Sequence, residues 1–342
     1  MNGETQLVPD RPHAMFALGA HYLPDLFPPK LLTRLHQLVQ VDDTLVAERF
    51  DSPATRAALR STEYLITGWG CPPVTADVLD AAPRLKAILH TAGSVKGHLT
   101  PACWERGLAI TSAAAANAVP VAEYTLAAIL FAGKDVFRLR DDYRTSRQFT
   151  VAEVHAGVGN HGRAVGVIGA SWIGRRVIEL LRPFDFEVYL FDPYVDHATA
   201  DALGVHLVDL DTLMRTCDIV SVHAPDNLQT QGLVGARQLA LKRDGATLIN
   251  TARPALVDSA ALIEHLRKER LYAVLDVTSP EPLPADSALY DLPNVFLTPH
   301  IAGSHGNELA RMGRYIVDEL QRLRAGQPLA YAITVGDLDR VA

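Results

Sequence analysis

The chain has 342 residues, 48% of them apolar and 21% charged, with a formal net charge of −7. At about 150 residues per domain this suggests two globular domains, and it excludes disordered, collagen-like and coiled-coil chains. With no Lys/Arg-rich run, neither nucleic acid nor an anionic membrane is an expected partner. Cys71, Cys103 and Cys217 are far apart and form no CxxC pair. A disulfide framework and a cysteine-rich metal site are therefore not expected, and a reducing cytoplasm fits. Met1–Pro12 is polar and carries no apolar targeting run.

The first third alternates short apolar runs with helical patterns. Strands are predicted at 14–18, 41–46, 64–66, 85–89 and 109–110, and helices at 28–39, 52–60, 75–81 and 100–106. Ser52-Pro53 and Thr100-Pro101 each place a capping residue before a proline at the first helical position. Residues 119–140 read as one long helix, apolar nearly all round, which must be buried against a large surface or shared between subunits. A polar, glycine-rich stretch follows over 145–163. The alternation then restarts: strands at 164–168, 187–191, 205–208, 218–223, 247–250, 273–276 and 295–298, with helices at 173–182, 198–203, 236–241 and 259–268. An amphipathic helix closes the pattern at 308–325. Strand–helix alternation of this kind implies parallel sheets covered by helices.

Within this pattern, Val165-Gly166-Val167-Ile168-Gly169-Ala170-Ser171-Trp172-Ile173-Gly174 runs from an apolar strand through a glycine turn into a helix. That is the context a dinucleotide-binding turn requires. Gly169 makes the tight turn, Gly174 lets helix pack on strand, and the helix start offers N–H groups to a pyrophosphate. Ser171 stands where glycine is usual, and its hydroxyl can itself bond a phosphate oxygen. The next strand ends at Asp192, 18 residues past Gly174, where an acid accepts from ribose hydroxyls and repels a 2′-phosphate. NAD is expected, and NADP less so.

Three further segments each follow a predicted parallel strand: Asn250–Asp258, Leu275–Pro282 and Leu297–Ser304. Together with the glycine turn and Asp192, the runs Thr251-Ala252-Arg253, Asp276…Glu281-Pro282 and Thr298-Pro299-His300-Ile301-Ala302-Gly303 resemble the D-isomer-specific 2-hydroxyacid dehydrogenases over almost the whole chain. The resemblance implies two Rossmann-like parallel-sheet domains, with a dinucleotide-binding domain (118–301) inserted into a smaller flavodoxin-like substrate domain (1–117 plus 302–342). It implies an NAD-dependent oxidoreductase moving a hydride to or from C2 of a small 2-oxo or D-2-hydroxy acid, His300 as acid/base, Glu281 as its partner and Arg253 binding substrate. Histidine suits proton transfer near neutral pH, and a guanidinium fork suits a carboxylate.

The cofactor set read this way is Gly169, Ser171, Trp172, Ile173, Gly174, Asp192, Ala224, Pro225, Thr251, Ala252, Asp276 and Ala302. The substrate set is Trp69, Gly93, Ser94 and Arg253, with no metal. The family's usual sequence after Gly93 is missing here, and Pro254 replaces the glycine usual after the arginine. A homodimer built around the long helix is expected. The alternatives are a non-catalytic, corepressor-like NAD(H)-binding regulator of the same fold, from another class, and a phosphite-type dehydrogenase.

Overall fold

The computed structural model describes residues 11–149 and 158–338. Part of the glycine-rich stretch and most of the polar N-terminal run fall outside them. The chain divides into two compact units. The first holds the described residues up to Asn117 and His305–Leu338, and the second holds Ala118–Ser304.

The first unit has a parallel sheet in the order β1 (Ala14–Ala17), β2 (Tyr64–Thr67), β3 (Ala87–His90), β4 (Ala109–Ser112). Its strands are buried almost throughout, as expected for parallel strands covered on both faces. Residues 41–46, predicted as a strand, contribute only the parallel bridge Val46↔Phe16, next to the bridge Gln40↔His13. Asp42 breaks the run: its carboxylate accepts from Thr44 N at 2.9 Å and Thr44 Oγ1 at 2.6 Å, a local turn that competes with the ladder. Counting those bridges, the order is the 2-1-3-4-5 of flavodoxin-like sheets. The C-terminal helix Leu309–Arg324 buries Met312, Ile316, Val317 and Leu320 in the same core as Phe16, Phe27 and Leu35.

In the second unit the strands are β5 (Arg163–Ile168), β6 (Phe186–Phe191), β7 (His206–Leu207), β8 (Ile219–Val222), β9 (Ala246–Asn250), β10 (Leu271–Leu275) and β11 (Val295–Leu297). All neighbours are parallel, in the order β11-β10-β9-β8-β5-β6-β7. This is the doubly wound Rossmann arrangement, 3-2-1-4-5-6 with one strand added. Its ligand crevice lies at the carboxyl ends of β5 and β8, where the order reverses.

Two helical expectations change. The long helix is two, Ala114–Gly133 and Val136–Ser146. The chain breaks at Asp135, which adopts a left-handed φ of 53° and accepts from Arg138 Nε at 2.7 Å. Ala114–Gly133 is long and apolar enough by length and composition to cross a membrane. Ala122, Ala128 and Ile129 instead belong to the same buried core cluster as the β5 residues Val165 and Val167, and Thr125 is fully buried. A further helix, Leu210–Thr216, has no counterpart in the apolar pattern; Asp209 caps it by accepting from Thr212 N.

Buried histidines make the fold acid-sensitive. Burial holds the His98 imidazole down to about 4 and His223 down to about 3, and it also lowers His90, whose ring centroid lies 4.3 Å from that of His98. The unfolded chain takes up protons near pH 6.5, where the folded chain does not. Stability is therefore complete above pH 6.5 and is lost as pH falls towards 4, by roughly 3 kcal/mol at pH 4 for His223 alone. Urea midpoints measured from pH 7.5 to 4.5 should fall steadily, and His98→Leu should flatten the slope. A wild-type midpoint independent of pH would refute the assignment.

Candidate active site

The functional side chains of the second unit stand on the loops that leave the carboxyl ends of its strands. At the end of β5, Gly169 has a φ of 96°, and a Cβ there would lie 2.6 Å from the Ala224 backbone nitrogen. No other residue fits that turn. A Cβ on Gly174 would overlap the Gly169 carbonyl oxygen, so this glycine sets the approach of helix Trp172–Leu181 to the turn. Ser171 caps that helix, its Oγ accepting from Gly174 N at 3.3 Å. Serine here thus stabilises the helix end that faces the crevice. Trp172 is about half exposed at 54%, and Ile173 packs on the core.

Asp192, at the end of β6, is fixed by two backbone donors. Its Oδ2 accepts from Ala170 N at 2.7 Å and its Oδ1 from Tyr194 N at 2.8 Å. At the end of β8, His223 N donates to Ile168 O and the ring Nε2 lies 2.8 Å from Ser221 Oγ, which sets the position of Ala224 and Pro225. A groove of about 330 Å³ runs between these loops, lined by Gly169, Ser171, Asp192, Ala224, Pro225 and Thr230. Its glycine floor, capped helix start and acid at the second strand fit a dinucleotide.

Beyond β9, the Asn250 side chain spans the next turn. Its Oδ1 accepts from Ala252 N at 3.1 Å and its Nδ2 donates to Arg253 O at 3.0 Å. Thr251 is buried, its Oγ1 lying 3.1 Å from Thr125 Oγ1 on the helix Ala114–Gly133. Arg253 has extended backbone, and its guanidinium donates to Ala252 O at 2.8 Å. Burial lowers its hold on the proton, while Asp226 and Glu281 act in the opposite direction. Pro254 opens the 3-10 turn Pro254–Leu256, where a first-position N–H has no helical partner, so proline is accommodated.

Past β10, Asp276 is 1% exposed and organises the turn that carries His300. Its Oδ1 accepts from Thr298 Oγ1 at 2.6 Å and Ile301 N at 2.8 Å; its Oδ2 accepts from Ala302 N at 2.9 Å; its carbonyl accepts from His300 N at 2.9 Å. Tyr124 OH lies 2.7 Å from Thr298 Oγ1 and extends the network. Charge-assisted bonds of this kind hold the turn with His300 in left-handed backbone, φ 55°. The His300 ring then meets Glu281, Nδ1 to Oε1 at 3.0 Å, with both side chains a little under half exposed. Nδ1 is thus the ring nitrogen turned to the carboxylate.

Arg253, Glu281 and His300 thus stand on the loops of three successive neighbours, β9, β10 and β11. The supporting groups Asn250, Tyr124, Thr125 and Thr298 are not among the residues expected from sequence. In the first unit, Trp69 follows β2; its carbonyl accepts from Gly19 N, and its ring lies 5.3 Å from that of Tyr22. Gly93 and Ser94 lie in the half-buried loop after β3, where Ser94 Oγ accepts from Lys96 N at 3.4 Å. Among the described residues no group of His, Cys, Asp and Glu could hold a metal ion.

A doubly wound sheet with this turn and groove defines a dinucleotide-binding protein. Residues 126–302 match the family described as D-isomer specific 2-hydroxyacid dehydrogenase, NAD binding domain. The chain belongs to that family, and its second unit is an NAD-binding domain. It is 31% identical over 267 residues to D-3-phosphoglycerate dehydrogenase of Archaeoglobus fulgidus, covering 78% of this chain and 50% of that one. With the enzyme of the same name from Mycobacterium tuberculosis H37Rv it shares 33% over 268 residues, 77% of this chain and 49% of the other. The chain spans about half the length of the curated relatives it matches. Its fold is that of a phosphoglycerate oxidoreductase from Rhizobium etli, TM-score 0.82 at 22% identity, covering 94% and 98% of the two chains.

Proposed function

We propose that this protein is an NAD-dependent reductase of small 2-oxo acids, forming D-2-hydroxy acids, and running in reverse as the dehydrogenase. The observation that carries this reading is the His300–Glu281 contact at 3.0 Å, with Arg253 on the neighbouring strand-end loop. Bound NADH supplies the hydride. Arg253 offers a planar, permanently charged fork to the substrate carboxylate and to the carbonyl oxygen as charge develops there. His300, oriented through Nδ1 by Glu281, presents Nε2 to that oxygen and delivers the proton. Glu281 fixes the ring's orientation and balances the charge of its protonated form. Asp276 acts at one remove by holding the His300 turn. Gly169, Ser171, Gly174, Asp192, Ala224 and Pro225 receive the cofactor, Asp192 taking the adenosine ribose. Trp69, Gly93 and Ser94 are the residues of the first unit assigned to substrate in this proposal.

The test is NADH oxidation, followed by absorbance, against glyoxylate, hydroxypyruvate, 3-phosphohydroxypyruvate, phenylpyruvate and 2-oxoglutarate. Turnover with at least one acid is expected. NADH binding with no turnover on any of them would favour the regulator reading.

A homodimer built on the Ala114–Gly133 helix is part of the proposal. Its Phe131 is 50% exposed, packed edge-on to Phe137, which leaves apolar surface for a second copy. Light scattering at micromolar concentration should give twice the chain mass of 37.2 kDa, and a monomer would refute it. The free cysteines suit a cytoplasmic setting.

A further inference from the structure

Arg175 follows Gly174 in the first turns of helix Trp172–Leu181 and lines the same groove as Asp192. Its Nε donates to Ala170 O at 2.9 Å, while Asp192 Oδ2 accepts from Ala170 N at 2.7 Å. A single residue of the glycine turn therefore anchors an anion through its N–H and a cation through its C=O. The Nε bond fixes the base of the guanidinium, and its two terminal nitrogens have no hydrogen-bond or ion-pair partner among the described residues. Asp192, by contrast, has both oxygens engaged by backbone amides and cannot turn away from the groove without breaking those bonds.

Adenosine ribose carries either a hydroxyl or a phosphate at its 2′ position. A fixed carboxylate accepts from the hydroxyl and repels the phosphate, whereas an arginine nearby accommodates the phosphate bidentately. We infer that Arg175 is a specificity-determining residue: it takes the 2′-phosphate and offsets the repulsion from Asp192, so that NADPH binds as a second cofactor behind NADH. The inference rests on the assignment of Asp192 to the ribose. The competing role for Arg175 is a clamp on the pyrophosphate, a group that both cofactors share.

Calorimetric titration of the full chain with NADH, NADPH and adenosine 2′,5′-bisphosphate separates the two roles. Arg175→Ala should weaken NADPH and the bisphosphate by about 10–100-fold, the range of one charge-assisted pair, and NADH by far less. Asp192→Asn, which keeps an acceptor oxygen for one amide, should raise NADPH affinity, and the gain should vanish in the double variant. An equal loss for NADH and NADPH in Arg175→Ala, or no loss for either, would overturn the inference. Wild-type protein that binds neither cofactor would instead overturn the cofactor assignment itself.

Discussion

Replacing Arg253 with alanine should abolish turnover while leaving NADH bound. The guanidinium lies half-buried on its loop, donating to Ala252 O, within the field of Asp226 and Glu281. In the proposed mechanism its removal takes away both the charge that binds the substrate carboxylate and the donor that stabilises the developing alkoxide. Loss of one such donor costs about 10²–10³ in rate, and loss of carboxylate binding adds to it, so kcat/KM should fall about 10³–10⁵-fold. Arg253→Lys should recover little of this, because an ammonium cannot present two parallel donors. The NADH dissociation constant should change little, since the groove is lined by other loops. Steady-state kinetics paired with NADH titration checks both halves; turnover that survives in the alanine variant would remove Arg253 from the mechanism.

The second large effect is expected at His300. Asparagine is the informative replacement because it tolerates the φ of 55° found there, whereas a β-branched residue would strain the turn. The bonds that Asp276 makes to Ile301 N, Ala302 N and Thr298 should therefore survive. His300→Asn should lower kcat about 10²–10⁴-fold, the usual worth of a positioned acid/base. Glu281→Gln should cost less, because the amide can still hold the ring at Nδ1 but no longer balances the imidazolium charge. A His300→Asn enzyme with wild-type kcat would exclude the residue as proton donor.

Much of the cofactor turn was legible because its requirements are local. The strand before Gly169, the helix after it and the spacing to Asp192 are all properties of one short stretch. The roles of Gly169 and Gly174 follow from backbone clashes that any side chain would create. What supports the site was not legible. Tyr124 and Thr125 lie on a helix whose apolar periodicity reads only as core, yet their hydroxyls reach Thr298 and Thr251 across 174 and 126 residues of sequence. Hydrophobic patterning carries no signal for such long-range pairs. The Asn250 amide clamp is local but depends on the loop conformation it stabilises. Asp209 ahead of Thr212 was a readable cap, obscured because the seven-residue helix it starts has too few apolar positions for a clear period. The break at Asp135 arises from its own left-handed backbone and the Arg138 fork, within a stretch whose composition favours a continuous helix.

Isotope transfer is the sharpest test of the proposed hydride transfer to C2 of a 2-oxo acid. Wild-type protein would be incubated with NADH deuterated at both C4 positions and the best acid from the panel that gives a chiral product, and the product resolved by chiral chromatography and mass spectrometry. The expected product is a D-2-hydroxy acid carrying one deuterium at C2. Bound NADH with no deuterated hydroxy acid, or deuterium in the L-isomer, would contradict it.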